Sequence, residues 1–338
     1  MTVRPLPHLL SWNSSRDDGW HAHVRAACDY YVRRERISEV QRHLALLFFN
    51  SSLRTRTSME VAGAQLGAQV TTIVPGSGVW GFEWEDGKIM DGDKAEHIHE
   101  AIGVLSRYYD AIGVRAFASG TDYLSDRDDV LLRRIVSAST APIINLESAF
   151  WHPCQALADA ATLCTHFGGG VRGRKFVLCW AYHPKALPMA VPNSTLIMAA
   201  RLGMQVTVVR PDGFELDEGV MASARSHAAR HHQTVEETSD RAAACHKADV
   251  IYAKAWGGRL RYVDQAAESS LRLDLTDWRI TAELMDRTNN GVFMHCLPVR
   301  RGVVVDDAVL DSRQAIHLLQ AEFRLHAQKA ILAHIWGL

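Results

Sequence analysis

Short, almost wholly apolar segments alternate along this chain with longer amphipathic ones, and this alternation constrains the fold more than any other feature of the sequence. A short apolar run without a polar face is typical of a strand buried on both sides, as in a parallel sheet covered by helices. Eight such runs are predicted to be strands: residues 44–49, 70–74, 111–114, 142–146, 176–180, 205–209, 249–253 and 292–295. The pattern therefore predicts an α/β fold with largely parallel sheets.

Amphipathic stretches between these strands predict the helices and divide the chain into domains. The predicted helices cover residues 58–66, 93–107, 154–166, 194–202, 217–230, 306–310 and 321–335. Two successive strand–helix sets in 338 residues predict two doubly wound domains, residues 1–150 and 151–318, with a bridging helix from residue 154. Residues 319–338 are expected to form a C-terminal helix that packs on the first domain. Ligands in such folds bind at the carboxyl ends of the strands.

Composition and charge exclude several classes of function. Lys and Arg total 37 against 38 Asp and Glu, and they are scattered rather than striped, which argues against nucleic acid as a partner. No apolar run reaches the ~20 residues that span a bilayer, and the first residues lack the apolar segment and cleavage site of a secretory signal. We therefore expect a cytoplasmic protein with no membrane partner, whose six widely spaced cysteines are reduced thiols.

Two patterns that could suggest a cofactor or a metal do not hold. Residues 168–173 spell G-x-G-x-x-G, but they precede a predicted strand instead of following one, so we interpret them as a turn and not as a dinucleotide site. His227 and His231 would share a helix face, yet Val235 at the next position on that face cannot be a ligand. We expect no cofactor and no metal.

The segment after the first predicted strand combines several features of an anion site. A polar turn over residues 50–56 leads into a predicted helix that opens with the capping-box spacing of Thr57 and Glu60. Free backbone N–H groups and the positive end of the helix dipole would meet the guanidiniums of Arg54 and Arg56 there. This combination suits a phosphate group. The alternative interpretation of the spacing is a helix cap with two solvated arginines.

Three motifs resemble, in order, those of the aspartate and ornithine carbamoyltransferase family. Residues 52–56 are similar to its S-x-R-T-R carbamoyl-phosphate motif, residues 152–155 to its H-P-x-Q motif, and residues 295–298 to the H-C-L-P motif of the ornithine-type branch. Further segments resemble the N-acetylornithine and N-succinylornithine carbamoyltransferases, namely residues 90–93, 113–117, 180–194, 252–256 and 289–301. The resemblance covers nearly the whole chain. It implies a knotted second domain and a homotrimer whose active sites are shared between neighbours.

By resemblance, one set of residues would hold carbamoyl phosphate and promote its reaction. Arg115, His152, Thr55 and Cys296 are implied as catalytic, and Trp80 would reach in from a neighbouring subunit. The full set implied for carbamoyl phosphate is Ser52, Leu53, Arg54, Thr55, Trp80, Arg115, His152, Gln155, Cys296, Leu297 and Arg324. Within this set Gln155 would bind the carbamoyl amide. No dedicated general base is required, because the departing phosphate can take the proton of the amine.

The acceptor that the resemblance implies is an ornithine-like amine. Its site would comprise Glu147, Asn193, Lys254, Cys296, Leu297, Arg300, Phe117 and Ala95, with His183 nearby. Plain ornithine carbamoyltransferases carry an aspartate-containing loop for the free α-ammonium, whereas Lys254 stands in that segment here and would repel it. The α-amine is therefore expected to be acylated, in a reaction of arginine biosynthesis. Two alternatives are a carbamoyltransferase of a specialised pathway with another amine, and a non-catalytic relative that only binds an anion.

The acyl group is predicted from the absence of a charge. By resemblance, N-acetylornithine enzymes carry glutamate at the position of Ala95 and lysine at that of Val304, and N-succinylornithine enzymes carry proline at the position of Ala95. A glutamate there would repel a succinyl carboxylate by roughly a few kcal/mol in a partly buried site. Because alanine removes this repulsion, the sequence favours acyl groups larger than acetyl, with succinyl above acetyl.

Overall fold

Two five-stranded parallel sheets follow one another along the chain in the computed structural model, which describes residues 8–14, 18–36 and 41–338. The first half contains α1 (Trp20–Arg33), β1 (His43–Phe48), α2 (Leu53–Gln65), β2 (Gln69–Pro75), β3 (Gly78–Val79), β4 (Phe82–Glu83), β5 (Glu96–His97), α3 (Ile98–Tyr108), β6 (Ala111–Arg115), α4 (Tyr123–Arg127), α5 (Val130–Ala138) and β7 (Ile143–Glu147). The second half contains α6 (Pro153–His166), β8 (Lys175–Trp180), α7 (Ala190–Arg201), β9 (Gln205–Val209), α8 (Glu218–Ala229), β10 (Val235–Thr238), α9 (Arg241–Cys245), β11 (Val250–Lys254), a 3₁₀ turn (Arg259–Tyr262), α10 (Gln265–Leu273), α11 (Ala282–Asp286), β12 (Val292–Met294), α12 (Asp307–Leu310) and α13 (His317–Trp336).

The strand order of each sheet creates one crevice per half of the molecule. The first sheet has the order β3-β2-β1-β6-β7 and the second β10-β9-β8-β11-β12, and the neighbouring strands run parallel. The chain reverses its direction of winding between β1 and β6, and again between β8 and β11. Such switch points open a crevice at the carboxyl ends of the two strands, where α/β folds bind ligands. The predicted two-domain parallel α/β fold is confirmed, and the knot stays a prediction.

The buried elements comprise strands covered on both faces and two helices, α6 and α13, that join the halves. In β1 every residue after the first is buried, as the apolar run predicts for a covered parallel strand. The helix α6 begins with Pro153 at its first position, where the missing N–H costs nothing, and eleven of its fourteen residues are buried. The 20-residue α13 packs against α6, α1 and α2. Of the helices in the described part of the chain, none is both long and apolar enough to cross a membrane.

The start of α2 differs from the prediction, with a consequence for the anion site. The helix begins at Leu53 instead of residue 58, because the Ser52 Oγ accepts a hydrogen bond from the Thr55 N–H at 3.2 Å and caps the helix there. The predicted capping box is therefore wrong: the Thr57 hydroxyl donates to the Leu53 carbonyl inside the helix. The first helical turn thus consists of the motif residues themselves.

Candidate active site

A cavity of about 490 Å³ lies where the carboxyl ends of the two sheets face each other. Its walls come from the segments that follow β1, β6, β7, β8, β11 and β12, together with α6 and α13. A larger cavity of about 700 Å³ shares Phe117 with it, but there Lys94 and Arg134 are accompanied by four carboxylates. The smaller cavity contains three arginines and Lys254 against the single carboxylate of Glu147, and it is the candidate anion site.

The helix N-terminus after β1 forms one end of this cavity. Ser52, Leu53, Arg54 and Thr55 all line it. The N–H groups of the first helical turn have no carbonyl partner inside a helix, and they carry its positive dipole end. Since the Thr55 N–H is taken by the Ser52 cap, the amides of Leu53 and Arg54 remain for a ligand.

The guanidiniums of Arg115 and Arg324 meet at the hydroxyl of Thr55. Arg115 Nη1 donates to Thr55 Oγ1 at 3.4 Å and Arg324 Nη2 donates to the same oxygen at 3.1 Å. All three side chains are buried. The Nε atoms of both arginines have no hydrogen-bond partner among the described residues. Burial lowers the pKa of Arg54 and of Arg324, because each charged guanidinium loses hydration. An anionic ligand would offset this loss of hydration.

Glu147, at the end of β7, supplies the negative charge opposite Arg115. Its Oε2 accepts from Arg115 Nη1 in a short ion pair and lies 3.5 Å from His152 Nε2. Arg115 also stacks over the Phe117 ring, with its Cζ 4.4 Å from the ring centroid. The predicted acceptor residue Glu147 is therefore in the cavity, but here it is paired with a residue implied for carbamoyl phosphate. Sequence spacing did not indicate that Glu147 pairs with Arg115.

His152 is held as a neutral imidazole. Burial, and after it the positive charges of Arg324 and Arg115, lower the pKa of His152 well below its ordinary value. Its backbone N–H donates to Ser194 Oγ at 2.8 Å, and its Nδ1 has no partner among the described residues. The ring can therefore hydrogen bond to a ligand, but it does not add a fourth full positive charge beside the arginines.

The second domain provides the opposite wall. Lys254 is buried at the end of β11, and Cys296 and Leu297 follow β12. Burial is the main cause that raises the pKa of the Cys296 thiol, so the sulfur stays protonated and is not a thiolate nucleophile. Leu297 adopts φ 57°, an uncommon conformation for this residue type that is frequent at ligand sites. The H-C-L-P segment thus lines the cavity with Cys296, Leu297 and Pro298.

Four of the predicted site residues lie outside this cavity. Asn193 is completely buried in α7, where its Nδ2 donates to the Phe150 carbonyl at 3.2 Å. Arg300 is exposed and donates from Nε to His183 Nε2 at 3.1 Å at the rim. Trp80, 58% exposed, donates from Nε1 to Glu96 Oε2, and Ala95 is exposed beside that glutamate. Asn193 does not line the cavity of the single chain, and its role towards the acceptor stays a prediction.

The structure also revises the second arginine of the first motif and adds residues that the sequence analysis did not single out. Arg56 points away from the cavity and pairs with Glu60 at 2.9 Å on the exposed helix face. Asp159 and Gln320 form a buried layer behind Gln155. The four-residue spacing between Gln155 and Asp159 places both on one helix face and could have indicated this contact.

Comparisons with known proteins agree with this geometry. Residues 7–165 match the family description "Aspartate/ornithine carbamoyltransferase, carbamoyl-P binding domain", and residues 188–335 match its "Asp/Orn binding domain". The N-acetylornithine carbamoyltransferase of Xanthomonas campestris pv. campestris is 45% identical over 87% of each chain. The N-succinylornithine carbamoyltransferase of Bacteroides fragilis is 36% identical over 90% of this chain and 92% of the relative.

Among solved structures, a variant N-acetyl-L-ornithine transcarbamylase with alanine in place of a glutamate is similar over 97% of this chain and 99% of its own. The TM-score is 0.93 and the sequence identity is 41%. That protein was solved with carbamyl phosphate and N-succinyl-L-norvaline. The similarity therefore extends over both halves of the molecule and the cavity between them.

Proposed function

The chain belongs to the aspartate/ornithine carbamoyltransferase family and is a carbamoyltransferase, and we propose that it moves the carbamoyl group of carbamoyl phosphate to the side-chain amine of an N-acylated ornithine. The products are an N-acylcitrulline and phosphate, in arginine biosynthesis. One observation carries the proposal: a helix N-terminus, Arg54, Arg115 and Arg324 converge at one end of a cavity whose other wall holds Lys254.

The donor's phosphate group is held at the α2 end of the cavity. The free N–H groups of Leu53 and Arg54 and the guanidinium of Arg54 supply donors that match a phosphate dianion. Arg324 closes this end from α13, because its Nη2 already contacts Thr55 Oγ1. Several fixed donors surround one anion, so its charge is neutralised without any rearrangement of the backbone.

The reaction is the attack of a neutral amine on the carbamoyl carbon. The amine nitrogen forms a bond to this carbon, the bond from the carbon to the phosphate oxygen breaks, and phosphate leaves with the electron pair. Arg115, Thr55 and His152 line the cavity together, and we assign them to the carbonyl oxygen, on which negative charge develops. Fixed donors of this kind usually contribute more to catalysis than any other single effect. The lowered pKa of His152 makes its imidazole a weak base and the Cys296 thiol stays protonated, so we assign the proton of the amine to the departing phosphate.

The acceptor lies against the second domain. Lys254 suits the α-carboxylate of the acceptor and repels a free α-ammonium, so an acylated and therefore neutral α-nitrogen fits this wall better than ornithine itself. Two relatives named for N-acylated ornithines, at 45% and 36% identity, support the same class of acceptor. Arg300 at the rim adds a second cation near His183.

We expect kcat/KM to be higher for N-succinylornithine than for N-acetylornithine, and lowest for unmodified ornithine. The reason is the absence of a glutamate at Ala95, which removes repulsion of the succinyl carboxylate. A relative in which alanine replaces a glutamate was solved with N-succinyl-L-norvaline, and this supports the preference for the succinyl substrate. The 45% identity to an N-acetylornithine carbamoyltransferase favours the acetyl substrate instead. Release of phosphate from carbamoyl phosphate, measured without and with each acceptor, decides between the two orders of preference.

A matched variant isolates the charge at this position. Ala95 is exposed in the single chain, so Ala95→Glu should fold normally and should shift the preference towards the acetyl substrate. A clear preference of the wild-type protein for N-acetylornithine would refute the repulsion of the succinyl group as the deciding effect. A preference for free ornithine would also overturn the acylated amine. Activity on none of the three acceptors would favour a specialised pathway, and no phosphate release with any amine would favour an anion-binding relative.

We also expect a homotrimer with Trp80 acting across a subunit boundary, whereas Phe117 already lines the cavity of its own chain. Trp80 lies outside its own chain's cavity, and Val79, Trp84 and Ile89 near it are exposed as well. Sedimentation or small-angle scattering should give about three times the 37.6 kDa of one chain. If the sites are shared, inactive Trp80→Ala and Arg54→Ala subunits mixed one to one should regain up to about a quarter of the activity. A fully active monomer would contradict both statements.

A further inference from the structure

Behind Gln155 lies a completely buried carboxylate that the reaction described above does not use. Asp159 is one helical turn after Gln155 on α6; its side chain is completely buried, whereas that of Gln155 is buried but lines the cavity. Gln155 Nε2 donates to Asp159 Oδ1 at 2.7 Å. On its other side, Gln155 Oε1 accepts from Arg324 Nη1 at 2.7 Å. The Gln155 amide is therefore held between an acceptor and a donor.

The identity of these two neighbours determines which way the amide faces. A carboxylate can only accept hydrogen bonds and a guanidinium can only donate them. Burial raises the pKa of Asp159 to about 6, and the hydrogen bonds that its Oδ1 accepts from the Gln155 and Gln320 amides act against that rise. The NH2 of Gln155 must then face Asp159, and its oxygen faces Arg324 and the cavity. A flipped amide would place its oxygen against the Asp159 carboxylate, acceptor against acceptor, and its NH2 against the Arg324 guanidinium, donor against donor.

A second glutamine gives the same polarity from independent contacts. Gln320 on α13 accepts from the His295 backbone N–H through Oε1 at 2.9 Å, and a backbone N–H can only donate. Its Nε2 must then face the other way, where it donates to Asp159 Oδ1 at 2.7 Å and to the Tyr252 hydroxyl at 3.2 Å. Asp159 thus accepts from two amides at once and joins Gln155 to the segment that begins the H-C-L-P motif.

We propose that Asp159 is a positioning residue that keeps the oxygen of the Gln155 amide turned towards the NH2 of the carbamoyl group, so that the site selects a carbamoyl donor over an acyl donor of the same shape. This role rests on the proposed function, because it needs carbamoyl phosphate in this cavity. The carbamoyl NH2 is a hydrogen-bond donor, and Gln155 Oε1 has a second lone pair left after its bond to Arg324. A methyl group in the place of that NH2 has no hydrogen to donate.

Acetyl phosphate provides the test, because it replaces the carbamoyl NH2 with a methyl group and keeps the phosphate. The quantity to measure is the ratio of the dissociation constants of acetyl phosphate and carbamoyl phosphate, with inorganic phosphate as a third probe. In Asp159→Leu the buried Gln155 NH2 loses its acceptor and only Arg324 still holds the amide, so we expect the ratio to fall by about tenfold or more through weaker binding of carbamoyl phosphate. The affinities for acetyl phosphate and inorganic phosphate should change by less than about threefold, because the phosphate end is untouched.

Two control variants separate positioning from general damage to the fold. Asp159→Asn keeps an oxygen where both bonds now end, so it should keep the ratio within about threefold of the wild-type value. Gln155→Leu should lower the ratio as much as Asp159→Leu, and combining the two should lower it no further, since both remove the same interaction. Should the leucine variant not fold, Asp159→Ala takes its place with the same expected ratio.

The outcomes distinguish the positioning role from the function on which it rests. If wild-type protein neither binds nor turns over carbamoyl phosphate, the proposed function is wrong and the positioning role goes with it. If wild-type protein is active and Asp159→Leu keeps the full ratio, only the positioning role is wrong. Equal losses for all three ligands in Asp159→Leu would likewise overturn it, because they would show that Asp159 supports the cavity as a whole.

Discussion

Replacing Arg54 with alanine is expected to abolish measurable binding of carbamoyl phosphate and to leave the fold intact. The guanidinium lines the cavity at the first turn of α2, where it adds a charge-assisted donor to the free backbone N–H groups. Removing one partner of a desolvated charge pair typically weakens binding by about 10²–10³-fold. Alanine is a good helix former and Arg54 forms no salt bridge with any described residue, so the melting temperature should change little. Calorimetric titration with carbamoyl phosphate measures the effect.

Arg56 provides the matched control on the same helix. Its guanidinium is about half-exposed and pairs with Glu60 at 2.9 Å, an i,i+4 pair of the kind that contributes about 0.3–0.5 kcal/mol. Arg56→Ala removes the same charge two residues away and should bind carbamoyl phosphate with almost unchanged affinity. Undiminished affinity in Arg54→Ala would show that the anion site at the start of α2 is wrongly assigned. Equal losses in both variants would instead indicate a general effect of helix charge.

Replacing Arg115 with alanine is expected to destabilise the protein as well as inactivate it. Arg115 and Glu147 have side chains only 9% and 11% exposed and form a short ion pair, so the alanine variant leaves a buried carboxylate beside a neutral His152. Breaking a buried pair in this way typically costs about 3–5 kcal/mol. The first domain should therefore unfold at lower temperature and lower urea concentration than in the wild-type protein, as followed by calorimetry and circular dichroism.

A double variant separates the two effects. Arg115→Met combined with Glu147→Met removes both charges and retains volume, so most of the lost stability should return, because a buried pair can often be replaced by apolar side chains without loss. Phosphate release should remain absent, since the donor to the carbonyl oxygen is gone. An Arg115→Ala variant as stable as the wild-type protein would show that Glu147 finds another partner. An active double variant would remove Arg115 from the proposed mechanism.

The sequence was most informative about elements whose pattern has a direct physical cause. Apolar runs such as residues 44–49 predicted strands buried on both faces, and the observed β1 is buried after its first residue. Because parallel strands place their carboxyl ends at one edge, residues that follow such runs were expected to converge. Arg115, Glu147, Lys254 and Cys296 do line one cavity. Short elements such as β3, β4 and β5 were missed, since two-residue strands leave no periodic signal.

The sequence by itself thus determined the α/β class, the two sheets, the family resemblance and the strand-end origin of the site. Only the tertiary structure decided where individual side chains point. Once Ser52 caps α2, Arg54 and Arg56 are two residues apart on a helix, about 200° around its axis, so one faces the cavity and the other faces Glu60. The contacts between Arg115 and Glu147 and between Asp159 and Gln320 join residues far apart in the chain. Such contacts follow from how whole helices and sheets pack, and local sequence pattern carries no record of that packing.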